Sequence, residues 1–192
     1  MRNSTLSLVL SRRNAFSLVI ILAVIAVYAL INTGAVARPV SLEGNEIMAL
    51  TDRDYFPQVS EAFAAASSSI HMLMYNVNYY TDYPDSNVNL LIDGLDAAAA
   101  RGVDVRIIAD EYTTDRPVLT LLKERGINIK YDSKDTTTHA KLIIIDSKII
   151  IIGSTNWSHY ALDKNHEANV VVNSPALAAQ FEAYFEKIWT ET

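Results

Sequence analysis

Between His139 and Asn156 the chain carries His139, Lys141, Asp146, Gly153, Ser154 and Asn156 in the spacing H-x-K-x4-D-x6-G-S-x-N. In an extended strand residues two apart project to the same side, so His139 and Lys141 share a face while Ala140 points to the other. An imidazole can act as nucleophile or as acid and base, and an ammonium is a point charge suited to a phosphate oxygen. The pair suits phosphoryl transfer. Ser154 and Asn156 add neutral donors for phosphate oxygens. Gly153 closes an apolar run at a point where a missing Cβ lets backbone approach a ligand. Asp146 lies between residues 142–145 and 149–152, where a tight turn belongs, and reads as a structural residue of the motif rather than a catalyst. Six specified residues in fixed register arise by chance at about 10⁻⁸ per starting position, so they are treated as one set.

The elements that must position this set alternate between short apolar runs and amphipathic ones. Strands are predicted at 47–50, 70–77, 103–109, 127–131, 142–145 and 149–152, with another entered at 170–172. Helices are predicted at 55–66, with Pro57 in the first turn, at 88–100, closed by Arg101-Gly102, and at 116–125, closed by Gly126. A last helix, 175–189, carries Leu177, Phe181, Phe185 and Ile188 on one apolar face. Strand, helix and strand over 70–109 argue for parallel pairing. His71 alternates with Leu73 and Tyr75 and reads as a satisfied interior histidine.

The motif resembles that of the phospholipase D superfamily, and the chain is similar to its short single-motif members, the Nuc-type endonucleases. The resemblance spans about residues 46–189 and includes Arg101-Gly102-Val103-Asp104-Val105, similar to a run common in that family. It implies an α/β fold: an α/β/α sandwich around a mixed, largely parallel sheet, preceded here by one N-terminal hydrophobic helix. It also implies that Glu167, in Asn165-His166-Glu167, hydrogen-bonds the far nitrogen of the catalytic histidine. In the superfamily two such motifs build one site, one histidine forming a phosphohistidine while the other protonates the leaving oxygen. This chain has a single H-x-K. The resemblance therefore implies a homodimer with the active site at the interface, with catalytic His139, Lys141, Ser154, Asn156 and Glu167, and with no cofactor or metal.

The N-terminus reads as an appendage. Residues 1–14 form a tail with Arg12 and Arg13 at its end, and the following uncharged segment, 15–37, is long enough as a helix to cross a bilayer core of about 30 Å. It is a transmembrane anchor or a signal peptide, with Ala35-Val36-Ala37 resembling a cleavage site. Residues 38–45 link it to the catalytic domain, 46–192. Arginines before the segment and acids after it predict a cytoplasmic tail and an extracytoplasmic domain, secreted or periplasmic if cut after Ala37.

Charge complicates the partner. Four of the chain's 16 basic residues, and none of its 22 acidic ones, precede Pro39, which leaves the remainder at −10. Nucleic-acid binders usually show a basic face, though a local basic cleft can coexist with an acidic exterior. Nucleic acid is the first expectation and phospholipid the alternative. An inactive membrane-anchored binding module is the third reading. Tyr79, Tyr80 and Tyr83 fall in a polar loop and either pack there or stack bases. Asp110, Glu111 and Asp115 read as a solvated loop rather than a cation site. The absence of cysteine excludes disulfides and thiolate metal sites.

Overall fold

A computed structural model describes residues 47–192. The helix expected at 15–37, the cleavage signal, the tail and the linker lie outside the described residues. Among the described residues no helix is long and apolar enough to cross a membrane.

Seven strands form one sheet in the order β1-β7-β6-β5-β2-β3-β4. They are β1 (Ile47–Thr51), β2 (Ser69–Met74), β3 (Asp104–Ala109), β4 (Asn128–Tyr131), β5 (Lys141–Ile145), β6 (Ile149–Gly153) and β7 (Ala168–Asn173). The helices are α1 (Tyr55–Ala65), α2 (Asn87–Ala100), α3 (Arg116–Glu124), α4 (His159–Asp163) and α5 (Pro175–Glu191). The long helices start where the sequence supplies caps. Ser86 Oγ accepts from Asn89 N at the head of α2, and Ser174 Oγ accepts from Leu177 N at the head of α5.

The sheet is mixed, but less parallel than expected. β2, β3 and β4 pair in parallel through the α2 and α3 crossovers. All other neighbours run antiparallel: β2 with β5, β5 with β6, β6 with β7 and β7 with β1. Between β5 and β6 the reason is local. Asp146 and Ser147 both take positive φ, 52° and 49°, and Lys148 N donates to Ile145 O at 3.0 Å. That is the two-residue turn whose twist folds a strand directly back on itself.

Because side chains alternate along a strand, the sheet has two apolar faces. Ile70, Met72, Ile107, Ile143 and Ile145 face α1, α2 and α3 through Val59, Phe63, Leu91, Leu95 and Leu122. Leu73, Ile108, Leu142, Ile144 and Ile150 face α5 through Ala178 and Phe185. Helices on both faces complete an α/β/α sandwich. Strand β2 ends at Met74, earlier than the predicted residue 77, because the chain leaves the sheet to form a bridge between Val77 and Trp157. Trp157 is fully buried there and donates Nε1–H to the Tyr55 hydroxyl at 3.3 Å. The loops after β2 and after β6 are thereby joined at one end of the sheet.

Candidate active site

Strand β5 begins at Lys141, and His139 stands two residues before it. The i, i+2 spacing brings the two together as expected: Lys141 Nζ lies 3.5 Å from His139 Nε2 and donates to His139 O at 2.9 Å. An ammonium can only donate, so this contact is a hydrogen bond in the tautomer whose proton sits on Nδ1. His139 is exposed, whereas Lys141 is 9 % exposed. Burial pulls the Lys141 ammonium below the ordinary lysine value, and the Glu167 carboxylate opposes that shift.

One neighbour of this pair was not legible in the motif. The Tyr75 ring, just past β2, has its centroid 4.5 Å from that of His139, tilted by 55°. Lys141 Nζ stands 4.8 Å from the same Tyr75 centroid. Antiparallel pairing of β2 with β5 causes this: Met74 opposes Lys141, and Tyr75 N donates to Ala140 O at 2.9 Å.

Asn156 lies on the loop after β6, half-buried, and its Oδ1 is buried without a hydrogen-bond partner, as is Oδ1 of Asn76 on the facing loop. The Asn156 amide makes no hydrogen bond among the described residues, and it is its Nδ2–H, not the orphaned Oδ1, that could donate to a phosphate oxygen. The loop is fixed from β7: Asn169 Nδ2 donates to Thr155 Oγ1 at 2.8 Å, and Asn169 Oδ1 accepts from Thr155 N at 3.3 Å.

Ser154 and Glu167 are brought together. The Ser154 hydroxyl donates to Glu167 Oε2 and accepts from Ala168 N at 3.1 Å. A hydroxyl donor to a carboxylate makes a stronger hydrogen bond than one to a neutral oxygen. Glu167 Oε1 accepts from Asn165 Nδ2 at 3.0 Å, so the carboxylate is held by Ser154 and Asn165 and makes no hydrogen bond to His139. Asp52 sets this position from the end of β1. Its N donates to Glu167 O at 3.0 Å, its Oδ1 accepts from Glu167 N at 2.8 Å, and its Oδ2 pairs with His166 Nδ1 at 3.0 Å.

Gly153 is required, but by the neighbouring strand rather than by a ligand. A Cβ on it would overlap Ala168 O and the Asn169 side chain. Asp146 is structural. Its carboxylate accepts from Ser67 N and Oγ at 3.0 Å, from Ser68 N at 2.7 Å and from Ser69 N at 3.0 Å, tying the β5–β6 turn to the start of β2. Burial pushes this carboxyl up, but the donors from Ser69, Ser68 and Ser67 outweigh it and hold it below the ordinary value.

Three other groups lie apart from the pair. Tyr79 stacks under Arg125, and the Tyr80 hydroxyl accepts from Asn78 and from His159 N, so both are loop packing. Tyr83 and Tyr160, each 70 % exposed, line an open cleft of about 1040 Å³ with Asp82, Asp85 and Asp163. Neither His139, Lys141 nor Asn156 lines it, and its acidic wall does not suit a polyanion. Asp110 is buried rather than solvated, its Oδ1 accepting from Tyr112 N and Thr113 N. Among the described residues no group of His, Asp and Glu is arranged to hold a metal ion.

A histidine just ahead of β5 and the lysine that opens it face one another, with an asparagine on the loop after β6, on a seven-stranded sandwich. Residues 59–189 match the family described as "Cardiolipin synthase, PLD-like domain", and the chain belongs to the phospholipase D-like family. Among curated proteins it is 34% identical to mitochondrial cardiolipin hydrolase of Chlamydomonas reinhardtii, over 46% of this chain and 41% of that protein. It is 34% identical to the Mus musculus protein of the same name, over 47% and 42%. The chain thus spans less than half the length of these relatives. Among solved structures it resembles Nuc from Salmonella typhimurium, with a TM-score of 0.64 and 29% identity over 76% of this chain and 95% of that one. NucT from Helicobacter pylori shares the fold, with a TM-score of 0.60 and 20% identity over 76% and 97%.

Proposed function

We propose that the chain is a metal-independent phosphodiesterase that works through a phosphohistidine, with nucleic acid as its substrate. The observation that carries this is the 3.5 Å approach of Lys141 Nζ to His139 Nε2, which places a lone pair and a cation at one point. His139 Nε2 forms a bond to phosphorus while the bond from phosphorus to the leaving oxygen breaks. The His139 imidazolium of a second copy gives that oxygen its proton. Water then attacks phosphorus, passes a proton to the same imidazole, and the N–P bond breaks. Lys141 and the Asn156 amide offset the charge on the phosphoryl oxygens. Glu167 supports the Lys141 charge and holds the Ser154 hydroxyl.

The single H-x-K favours a two-fold dimer with both histidines at the interface. Sedimentation that finds an active monomer would overturn it. The apolar segment 15–37 is proposed to tether the enzyme with this domain outside the cytoplasm.

Nucleic acid is favoured by the similarity to Nuc over almost that protein's whole length. Phospholipid is the second reading, favoured by the identity to cardiolipin hydrolases and by the acidic charge of the domain. The test incubates the full-length chain, in mild detergent and excess chelator, with labelled single- and double-stranded DNA and with cardiolipin vesicles. Wild-type cleavage of DNA, absent in His139→Asn, is the expected result. Cleavage of cardiolipin alone transfers the assignment to lipid, loss on chelation refutes metal independence, and unimpaired turnover by His139→Asn refutes the mechanism.

A further inference from the structure

The phosphoryl-transfer reading leaves one side chain without a role. Tyr75 touches both reacting partners at once, with its ring centroid 4.5 Å from that of His139 and 4.8 Å from Lys141 Nζ. Its hydroxyl makes no hydrogen bond among the described residues, so the ring itself is what the site uses. The backbone on either side is pinned: Tyr75 N donates to Ala140 O at 2.9 Å, and Tyr75 O accepts from the Thr113 hydroxyl. The ring therefore cannot drift from the strand that carries the histidine and the lysine.

Two physical effects follow. An aromatic face within about 6 Å of an ammonium attracts it, and most strongly where water is excluded. Lys141 is such a case, since burial favours its neutral form and Glu167 opposes that only through space. A tilted ring against the imidazole also restricts the rotamers of an otherwise exposed histidine, keeping Nε2 turned towards Lys141. We propose that Tyr75 is a positioning residue of the phosphoryl-transfer site, its ring orienting the His139 imidazole and holding the positive charge of Lys141. The inference rests on the proposed phosphodiesterase activity for its catalytic consequence, but not for its effect on Lys141.

The test compares Tyr75→Phe, which keeps the ring, with Tyr75→Leu, which fills space without one, in the full-length chain. Bis(4-nitrophenyl) phosphate serves as a neutral choice of diester. Tyr75→Leu is expected to lose roughly 10- to 100-fold in kcat with KM within about twofold, and the alkaline limb of its pH profile moves to lower pH. Tyr75→Phe restores most of kcat and the wild-type limb. Separately, the Lys141 side chain is titrated by NMR: its midpoint falls in Tyr75→Leu and stays in Tyr75→Phe. Equal kcat and an unmoved limb in Tyr75→Leu would overturn the proposal. If the wild type hydrolyses no diester, the functional reading fails, while the Lys141 titration still decides the role of Tyr75, an unmoved midpoint sinking it. Should Tyr75→Leu lose its fold, Tyr75→Met carries the same measurements.

Discussion

Two histidines, one on β2 and one just ahead of its antiparallel neighbour β5, meet opposite fates. His71, on β2, is 5 % exposed and faces α5, its Nδ1 2.6 Å from Glu182 Oε2 and its Nε2 3.4 Å from Asp104 Oδ2. Its ring stacks on Phe185 with centroids 4.8 Å apart. Arg106 extends the network, bonding Asp104 at 2.9 Å and Glu186 at 2.7 Å. His139 has no carboxylate at either nitrogen, and one nitrogen meets a cation instead. Both residues are the same chemical group, and the surroundings assign the work. An imidazole whose two nitrogens are each occupied by a carboxylate is a bolt, whereas one left open beside a lysine can attack.

That contrast is open to direct attack. Substituting His139→Asn is expected to lower kcat at least about a thousandfold, with unfolding free energy changed by less than about 0.5 kcal/mol; kinetics and urea denaturation on one preparation check both. His71→Asn should do the reverse. It takes from the half-buried Glu182 its nearest partner and leaves it only the Ser147 hydroxyl, so the expected cost is about 2 kcal/mol of stability, with kcat of the folded protein within about twofold. If His71→Asn were inactive but stable, the two histidines would have to exchange roles.

Asp146 sharpens the comparison at smaller amplitude, because it too is a motif residue with a purely structural network. Removing its acceptors in Asp146→Ala is expected to cost about 2 kcal/mol, read as a lower urea midpoint. The sign with pH follows from its depressed carboxyl. As pH falls below about 4 the unfolded chain takes up the proton first, so the contribution is complete above that range and is lost as pH falls through the lower folded value. Stability measured between pH 6 and pH 2 should therefore fall less steeply in Asp146→Ala than in the wild type.

The approach of His139 to Lys141 was legible in the sequence, because side chains two residues apart on extended backbone share a side. The satisfied state of His71 was legible for the same reason, since alternation with Leu73 put it inside. What stayed hidden came from pairing between distant segments. Tyr75 reaches His139 only because β2 lies antiparallel to β5, a pairing between distant segments that no pattern in residues 70–77 announces. The partners that Glu167 has here, Ser154 and Asn165, were hidden for a similar reason, since Asp52, just past β1, fixes the backbone at Glu167. Gly153 was singled out correctly as a place of close approach, but the sequence does not name what approaches. That was Asn169 of β7.

The order of the sheet also carries a consequence for time. The first described strand, β1, lies against the last, β7, with Ile47 opposite Val172 and Thr51 opposite Ala168. The Asp52 clamp on Glu167 is the far end of that same seam. Contacts of such large sequence separation form slowly, and during synthesis they wait for the segment that carries β7. A ribosome-bound chain lacking residues beyond about 170 already holds His139 and Lys141, yet has nothing to close the seam. The site is finished only when the two ends of the domain meet, so hydrolytic competence should appear with the last folding step and not before it.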